Sequence, residues 1–192
     1  MPRIQTQTLA QHRDWRRHQL IDAAAAIAME SGGSAVSVAA VAQRAGMSRT
    51  SVYEYFASSA DLVADLIIEE LNSFAKILET AVGQCTDPCN CVESWINAAL
   101  RYIADGRHLL AKALNATALP QDRAAQIGAA HRGLLAPLKS GLARLGVKDI
   151  SQALAYIQAT TDVATKRIEA GHDAEAEIKS ATTFCISGLA TL

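Results

Sequence analysis

Apolar residues in this chain return every three or four positions, and the runs are punctuated by glycines, a spacing that specifies amphipathic helices. Between Asp14 and Ser31, Leu20, Ala24, Ile27 and Ala28 share one helical face, and Gly32 and Gly33 close the segment. Val38, Val41, Ala42 and Ala45 repeat the spacing before Gly46, with Ser34 and Ser37 placed to cap. Only Gly46 and Met47 then precede Ser48, another capping serine, and the segment Arg49 to Phe56. There Val52, Tyr55 and Phe56 face inward, while Arg49, Thr50, Tyr53 and Glu54 project outward. Composition agrees: alanine is the commonest residue, aromatics are 5% and prolines four, which favours closely packed helices over a β-sandwich. The expectation is an all-α fold, with half the chain hydrophobic and able to bury a core.

Two short helices joined by a glycine-containing turn make a helix-turn-helix. A helix that reads base edges needs an apolar back and a front of small, hydrogen-bonding residues, which Arg49, Thr50, Ser51 and Tyr53 supply. An arginine near the start of such a helix can engage guanine O6 and N7 together. Ser37, Ser48 and Tyr55 stand at helix starts or edges, where hydroxyls and backbone N–H groups meet phosphates. Glu54 is discordant, since it repels phosphate unless it accepts from a cytosine amine or pairs with a nearby arginine. Two packed helices are also common in proteins that bind no nucleic acid, so spacing alone leaves DNA binding open.

Charge leans the same way without deciding the matter. The net charge is -1, but residues 1–58 carry six basic against four acidic groups, or +2, and the remainder twelve against fifteen, or -3. The longest uncharged stretches, Ser31–Gln43, Ile150–Thr161 and Ser180–Leu192, fall short of the roughly 20 residues that span a bilayer. No apolar run of a secretory signal follows Arg3, so no membrane association and a cytoplasmic location are expected.

Ala42, Ala45, Gly46, Met47 and Ser48, followed by Tyr53, Tyr55, Phe56, Ser58 and Leu62, resemble the N-terminal domain of the TetR family of transcriptional regulators. In that family a first helix ends in glycine, a second carries A-x-x-A-G-[VM]-S, and a third closes with Y-x-Y-F-x-S before a long fourth helix. The resemblance implies a helix-turn-helix DNA-binding domain over residues 1–58 and a helical effector-binding and dimerisation domain over residues 59–192. It further implies a repressor that binds a palindromic double-stranded operator as a homodimer and is released by a small-molecule effector. Two positions depart from the family. Ser59 stands where a phosphate-contacting lysine is usual, and Ala28-Met29 replaces a Leu-Phe pair. Arg3, Arg13, Arg16 and Arg17 precede or open the first helix, where an arm in such regulators approaches the DNA backbone; a solvated charged terminus explains them equally well.

Longer helices are predicted beyond: Ala60 to Val82, Val92 to Ala104, Arg107 to Thr117, Gln121 to Leu145 with a kink at Pro137, Ile150 to Ala170, and Ala174 to Leu189. Ala153, Ile157, Thr160, Thr161, Ala164 and Ile168, then Ile178, Ala181, Ile186 and Leu189, offer small and β-branched faces suited to the intersubunit bundle that the resemblance implies. Larger or polar residues set in apolar helices are the effector-pocket candidates: Phe74, Trp95, Tyr102, His108, Asn115, His131, Gln158 and Asp162. Each is also an ordinary core residue type. With few charges nearby, a small and mainly apolar ligand is expected.

Cys85, Cys89 and Cys91 lie within seven residues on a predicted loop, which raises an alternative: a regulator that answers to metal or thiol oxidation. Against it, C-x3-C-x-C matches no common structural zinc site and has no nearby histidine. No nucleophile elbow, zinc-protease, dinucleotide or P-loop motif occurs, so no enzyme activity, catalytic residue, metal or cofactor is expected.

Overall fold

The computed structural model describes residues 9–83, 85–114 and 123–190. Among them are nine α-helices and no strand: α1 (Leu9–Ser31), α2 (Val38–Arg44), α3 (Arg49–Tyr53), α4 (Ser59–Val82), α5 (Pro88–Ala104), α6 (Leu109–Leu114), α7 (Ala124–Arg144), α8 (Ile150–Glu169) and α9 (Ala174–Leu189), with a short 3-10 turn at Gly33–Ala35. The chain forms two compact units. One comprises Met1–Glu70 with Leu109–Ile127, the other Leu71–His108 with Gly128–Leu192, so α4 and α7 contribute residues to both.

The first unit closes over one apolar cluster. Leu20, Ala24 and Ile27 of α1 meet Val38, Val41 and Ala42 of α2, Val52 of α3, Phe56, and Leu62 and Leu66 of α4, with Leu114 of α6 completing the core. The glycine-ended helices of the sequence are realised through specific backbone bonds. The N–H of Gly46 donates to Gln43 O at 3.3 Å and that of Met47 to Ala42 O at 2.9 Å, the paired bonds that terminate α2. Gly46 sits at φ +65°, a conformation that glycine adopts without steric cost. Ser37 and Ser48 are the caps: Ser37 Oγ accepts from Ala40 N at 3.2 Å, and Ser48 Oγ from Ser51 N at 3.0 Å. Replacing Ser48 with alanine is expected to lower the stability of this unit by about 1 kcal/mol. Thermal denaturation checks this, and an unchanged midpoint would mean that the cap contributes nothing.

Several boundaries differ from the sequence expectation. Helix α3 ends at Tyr53 rather than Phe56, because both Tyr55 N and Phe56 N donate to Val52 O, at 3.0 and 3.1 Å, and turn the chain. Helix α1 begins at Leu9, several residues before Asp14. Helix α5 begins at Pro88, so Cys89 and Cys91 are helical rather than on a loop; Asp87 accepts from Asn90 N at 2.8 Å, and Pro88 fills the first position, where no N–H is needed. For α6, Leu109–Leu114 is helical and Ala116 and Thr117 lie outside the described residues.

The second unit is built on mutual packing of α5, α8 and α9. Its core joins Val92, Trp95, Ile96 and Leu100 to Leu138 and Leu142 of α7, Leu154 and Ile157 of α8, and Ile178 and Ala181 of α9. Helices α5 and α7 approach closely at Gly141, where a Cβ would stand 3.1 Å from Val92 Cγ2. Pro137 lies inside α7. Of the residues expected to face a second subunit, Ala153, Ile157, Ala164, Ile178 and Ala181 are buried in this core. The large apolar side chains left in water are others, Tyr156, Val163 and Phe184.

Candidate nucleic-acid interface and ligand cavity

In the first unit Val52 is fully buried and anchors α3 from behind, leaving Arg49, Thr50, Tyr53 and Glu54 exposed on the opposite side. Among the described residues, Arg49, Thr50 and Tyr53 have no side-chain partner, and Tyr53 is 57% exposed. Ser48 and Ser51 are differently placed, since their hydroxyls bond to each other at 2.9 Å beside the cap. Ser37 is likewise engaged in capping α2. Tyr55 is half-buried against the core with the Arg13 guanidinium 5.9 Å from its ring centroid. His12, Arg13, Glu54 and Tyr55 line one recess, which brings a cation to the side of the discordant glutamate.

Ser59, at the position where lysine is usual, has a structural use: its Oγ accepts from Val38 N at 3.1 Å, tying the start of α4 to the first turn of α2. The basic residues of α1 divide in two. Arg17 is committed inside the unit, bonded to Asp65 at 2.7 Å and Glu69 at 2.5 Å and lying over the Phe56 ring. Burial disfavours its charge, and the two carboxylates outweigh that, holding the guanidinium above its ordinary value. Asp65 also accepts from Arg123. Arg13 and Arg16 instead lie over aromatic rings near the surface, Arg16 at 5.8 Å from Trp15. Arg3 is outside the described residues.

The second unit holds a cavity of about 430 Å³. Five of the eight candidates for it line it: Phe74 on α4, Trp95 on α5, His131 on α7, and Gln158 and Asp162 on α8. Its apolar side is rigidly held, with Trp95 Nε1 donating to Leu134 O at 2.9 Å and Phe74 stacked on Tyr102 at 4.1 Å between centroids. Tyr102 therefore supports the wall from behind. His108 lies elsewhere, its Nε2 2.9 Å from Glu169 Oε1, and Asn115 is outside the described residues. Not singled out beforehand for this role are Arg132, Thr161 and Thr165. Gln158, Thr161, Asp162 and Thr165 follow one another at i, i+3, i+4 and i+7, a polar stripe that the sequence displays once the apolar wall opposite is known.

Within the cysteine run Cys85 and Cys91 are neighbours. Cys91 is buried, and Cys85 donates weakly toward Ser94 Oγ at 3.5 Å. Burial pushes the Cys91 thiol up, with proximity to Cys85 adding and Arg144 opposing, which disfavours the thiolate that metals and oxidants require. Among the described residues no three His, Cys, Asp or Glu side chains converge. No described helix is long and apolar enough to cross a membrane.

A capped helix-turn-helix ahead of a second, cavity-bearing helical unit is the build of a DNA-binding transcriptional regulator. Residues 20–66, which hold the helix-turn-helix, match the family model of bacterial regulatory proteins of the tetR family. Among solved structures it resembles FadR of Bacillus subtilis in complex with stearoyl-CoA (22% identity, 89% of this chain and 98% of that one, TM-score 0.73). It also resembles the fatty acid degradation regulator FadR of Bacillus halodurans (22%, 89% and 94%, TM-score 0.71) and a TetR-like regulator of Rhodococcus sp. RHA1 (20%, 99% and 98%, TM-score 0.69). At these identities the likenesses establish the fold. No curated protein sequence matches the chain.

Proposed function

We propose that this regulator is a repressor that binds a palindromic operator as a homodimer and is released when a small, mainly apolar effector enters the cavity of its second unit. The observation that carries the DNA-binding part is the exposed trio Arg49, Thr50 and Tyr53 on a helix anchored by Val52. Residues 1–58 would supply the DNA-binding domain and residues 59–192 the effector and dimerisation domain. Tyr55 would meet phosphate at its exposed edge, while Ser37, Ser48 and Ser51 act by holding the helices that face DNA.

Dimerisation is supported by the apolar surface of α8 and α9. Tyr156, Val163 and Phe184 are 56%, 57% and 70% exposed, and Ala159 and Gly188 beside them allow close approach. A symmetric dimer would place two copies of α3 at half-sites about one turn of B-DNA apart, or somewhat more. Phe184→Glu is expected to shift the protein from dimer to monomer in sedimentation, and a persistent dimer would move the interface elsewhere. Effector release requires only that the ligand bind one conformation better than the other, by about 1.4 kcal/mol for each ten-fold change in operator affinity. That the FadR of Bacillus subtilis was solved in complex with stearoyl-CoA supports a small-molecule effector for a chain of this fold.

Selection of bound fragments from a random DNA pool, followed by affinity for the winner across a salt series, tests this. A palindromic winner whose affinity falls steeply with salt is expected. Enrichment of no sequence would overturn the DNA-reading role.

A further inference from the structure

The two walls of the cavity differ in chemistry, and that difference restricts what can fill it. On α5, Trp95, Ala99, Leu100 and Ile103 present an apolar surface. The indole N–H of Trp95 is spent on Leu134 O, so this wall offers a ligand no hydrogen bond from that ring. On α8 the lining is the polar stripe Gln158, Thr161, Asp162 and Thr165. Thr161 donates its hydroxyl proton to Gln158 O at 3.0 Å, whereas the side chains of Gln158 and Asp162 have no partner among the described residues. Arg132 stands in the lining with His131, and its Nη1 lies back toward Gly128, 3.3 Å from where a Cβ on that glycine would stand. Its charge opposes the single carboxylate of Asp162.

A long acyl chain is apolar on all sides. Seated here, it would cover the α8 stripe with methylenes and strip water from an amide and a carboxylate without replacing their hydrogen bonds, a net loss. A ligand bearing several negative charges would meet Arg132 and His131, but also the repelling carboxylate of Asp162 in the same lining. A compact body with one apolar face and a donating edge satisfies both walls at once. From this we infer that the effector of the proposed regulator is a compact ring-based amphiphile whose amine or hydroxyl edge donates to Asp162 while its apolar face lies on Trp95, rather than an acyl chain or its thioester. The inference rests on the reading of this cavity as the effector site.

The test uses the full chain and probes that share one apolar body: 2-naphthylmethylamine, 2-naphthylmethanol, 2-naphthoate and 2-methylnaphthalene, with stearoyl-CoA alongside, each titrated calorimetrically. The amine and the alcohol are expected to bind at least about ten-fold more tightly than the other three. Asp162→Ala should bring all four naphthalenes to within about two-fold of one another, and Asp162→Asn should keep the alcohol while losing the advantage of the amine. Asp162 is exposed, so neither variant disturbs the core, and an unchanged thermal midpoint verifies this. Tighter binding of 2-naphthoate or stearoyl-CoA, a ranking that survives Asp162→Ala, or no binding by any probe overturns the inference. Operator affinity measured with and without the amine separates the two readings: an unchanged affinity alongside the expected ranking would remove the effector role and leave the ligand class standing.

Discussion

Replacing Phe56 with alanine is expected to destabilise the first unit by about 3–5 kcal/mol, against a total stability of order 5–15 kcal/mol for a domain. The ring is 2% exposed and sits where the chain leaves α3 and turns into α4, in contact with the core that Val41, Val52 and Leu62 share. Arg17 lies over its face, 5.7 Å from the centroid, while bonded to Asp65 and Glu69. Truncation therefore leaves a void and removes a cation–π contact that helps fix a guanidinium. Because α3 has only five residues, it holds its helical form through this packing rather than by intrinsic propensity. Operator binding should be lost along with the cooperative melting of the unit. Chemical denaturation measures the first effect, and a cost under about 1 kcal/mol would show that the ring is not integral to the core.

Arg49→Ala is expected to have the opposite profile. The residue is exposed at the first position of α3 and touches no partner among the described residues, so stability should stay within about 0.5 kcal/mol of the parent. Specific operator affinity should fall by about 1–3 kcal/mol, roughly ten- to more than hundred-fold, with relaxed preference at the base pair it reads. The comparison with a phosphate contact is diagnostic: loss of a base contact changes sequence preference, whereas loss of a phosphate contact weakens all sequences alike and flattens the salt dependence. Equal affinity of parent and variant for the selected sequence would exclude α3 as the reading helix.

Glu54 illustrates how neighbours decide what a residue can do. Alone on the outer side of α3 it would oppose phosphate, yet it lines the same recess as Arg13, whose side chain is held over Tyr55. Ser59 is similar. By sequence it is a missing lysine; by structure it accepts from the otherwise unpaired N–H of Val38.

The local signals in this sequence determined the helices and their ends. Ser37, Ser48 and Gly46 act through bonds to residues three positions away, and such short-range chemistry is readable without a fold. The same holds for α8 and α9, whose expected spans differ from those observed by at most one residue. The start of α5 is equally local, since Asp87-Pro88 is a cap followed by a first-turn proline, but the polar stretch Gly83 to Asn90 reads as an interruption between helices. Tertiary structure alone decided the rest. Which face of α8 and α9 stays in water depends on what packs against the other side, so Ala153, Ile157 and Ile178 went to the core while Tyr156 and Phe184 remained outside. Arg17 became an internal ion-pair residue because Asp65 and Glu69, some fifty residues away, meet it there. The cavity is of the same kind: Phe74, Trp95, His131 and Asp162 lie on four different helices, and a site made by distant segments exists only once those helices pack.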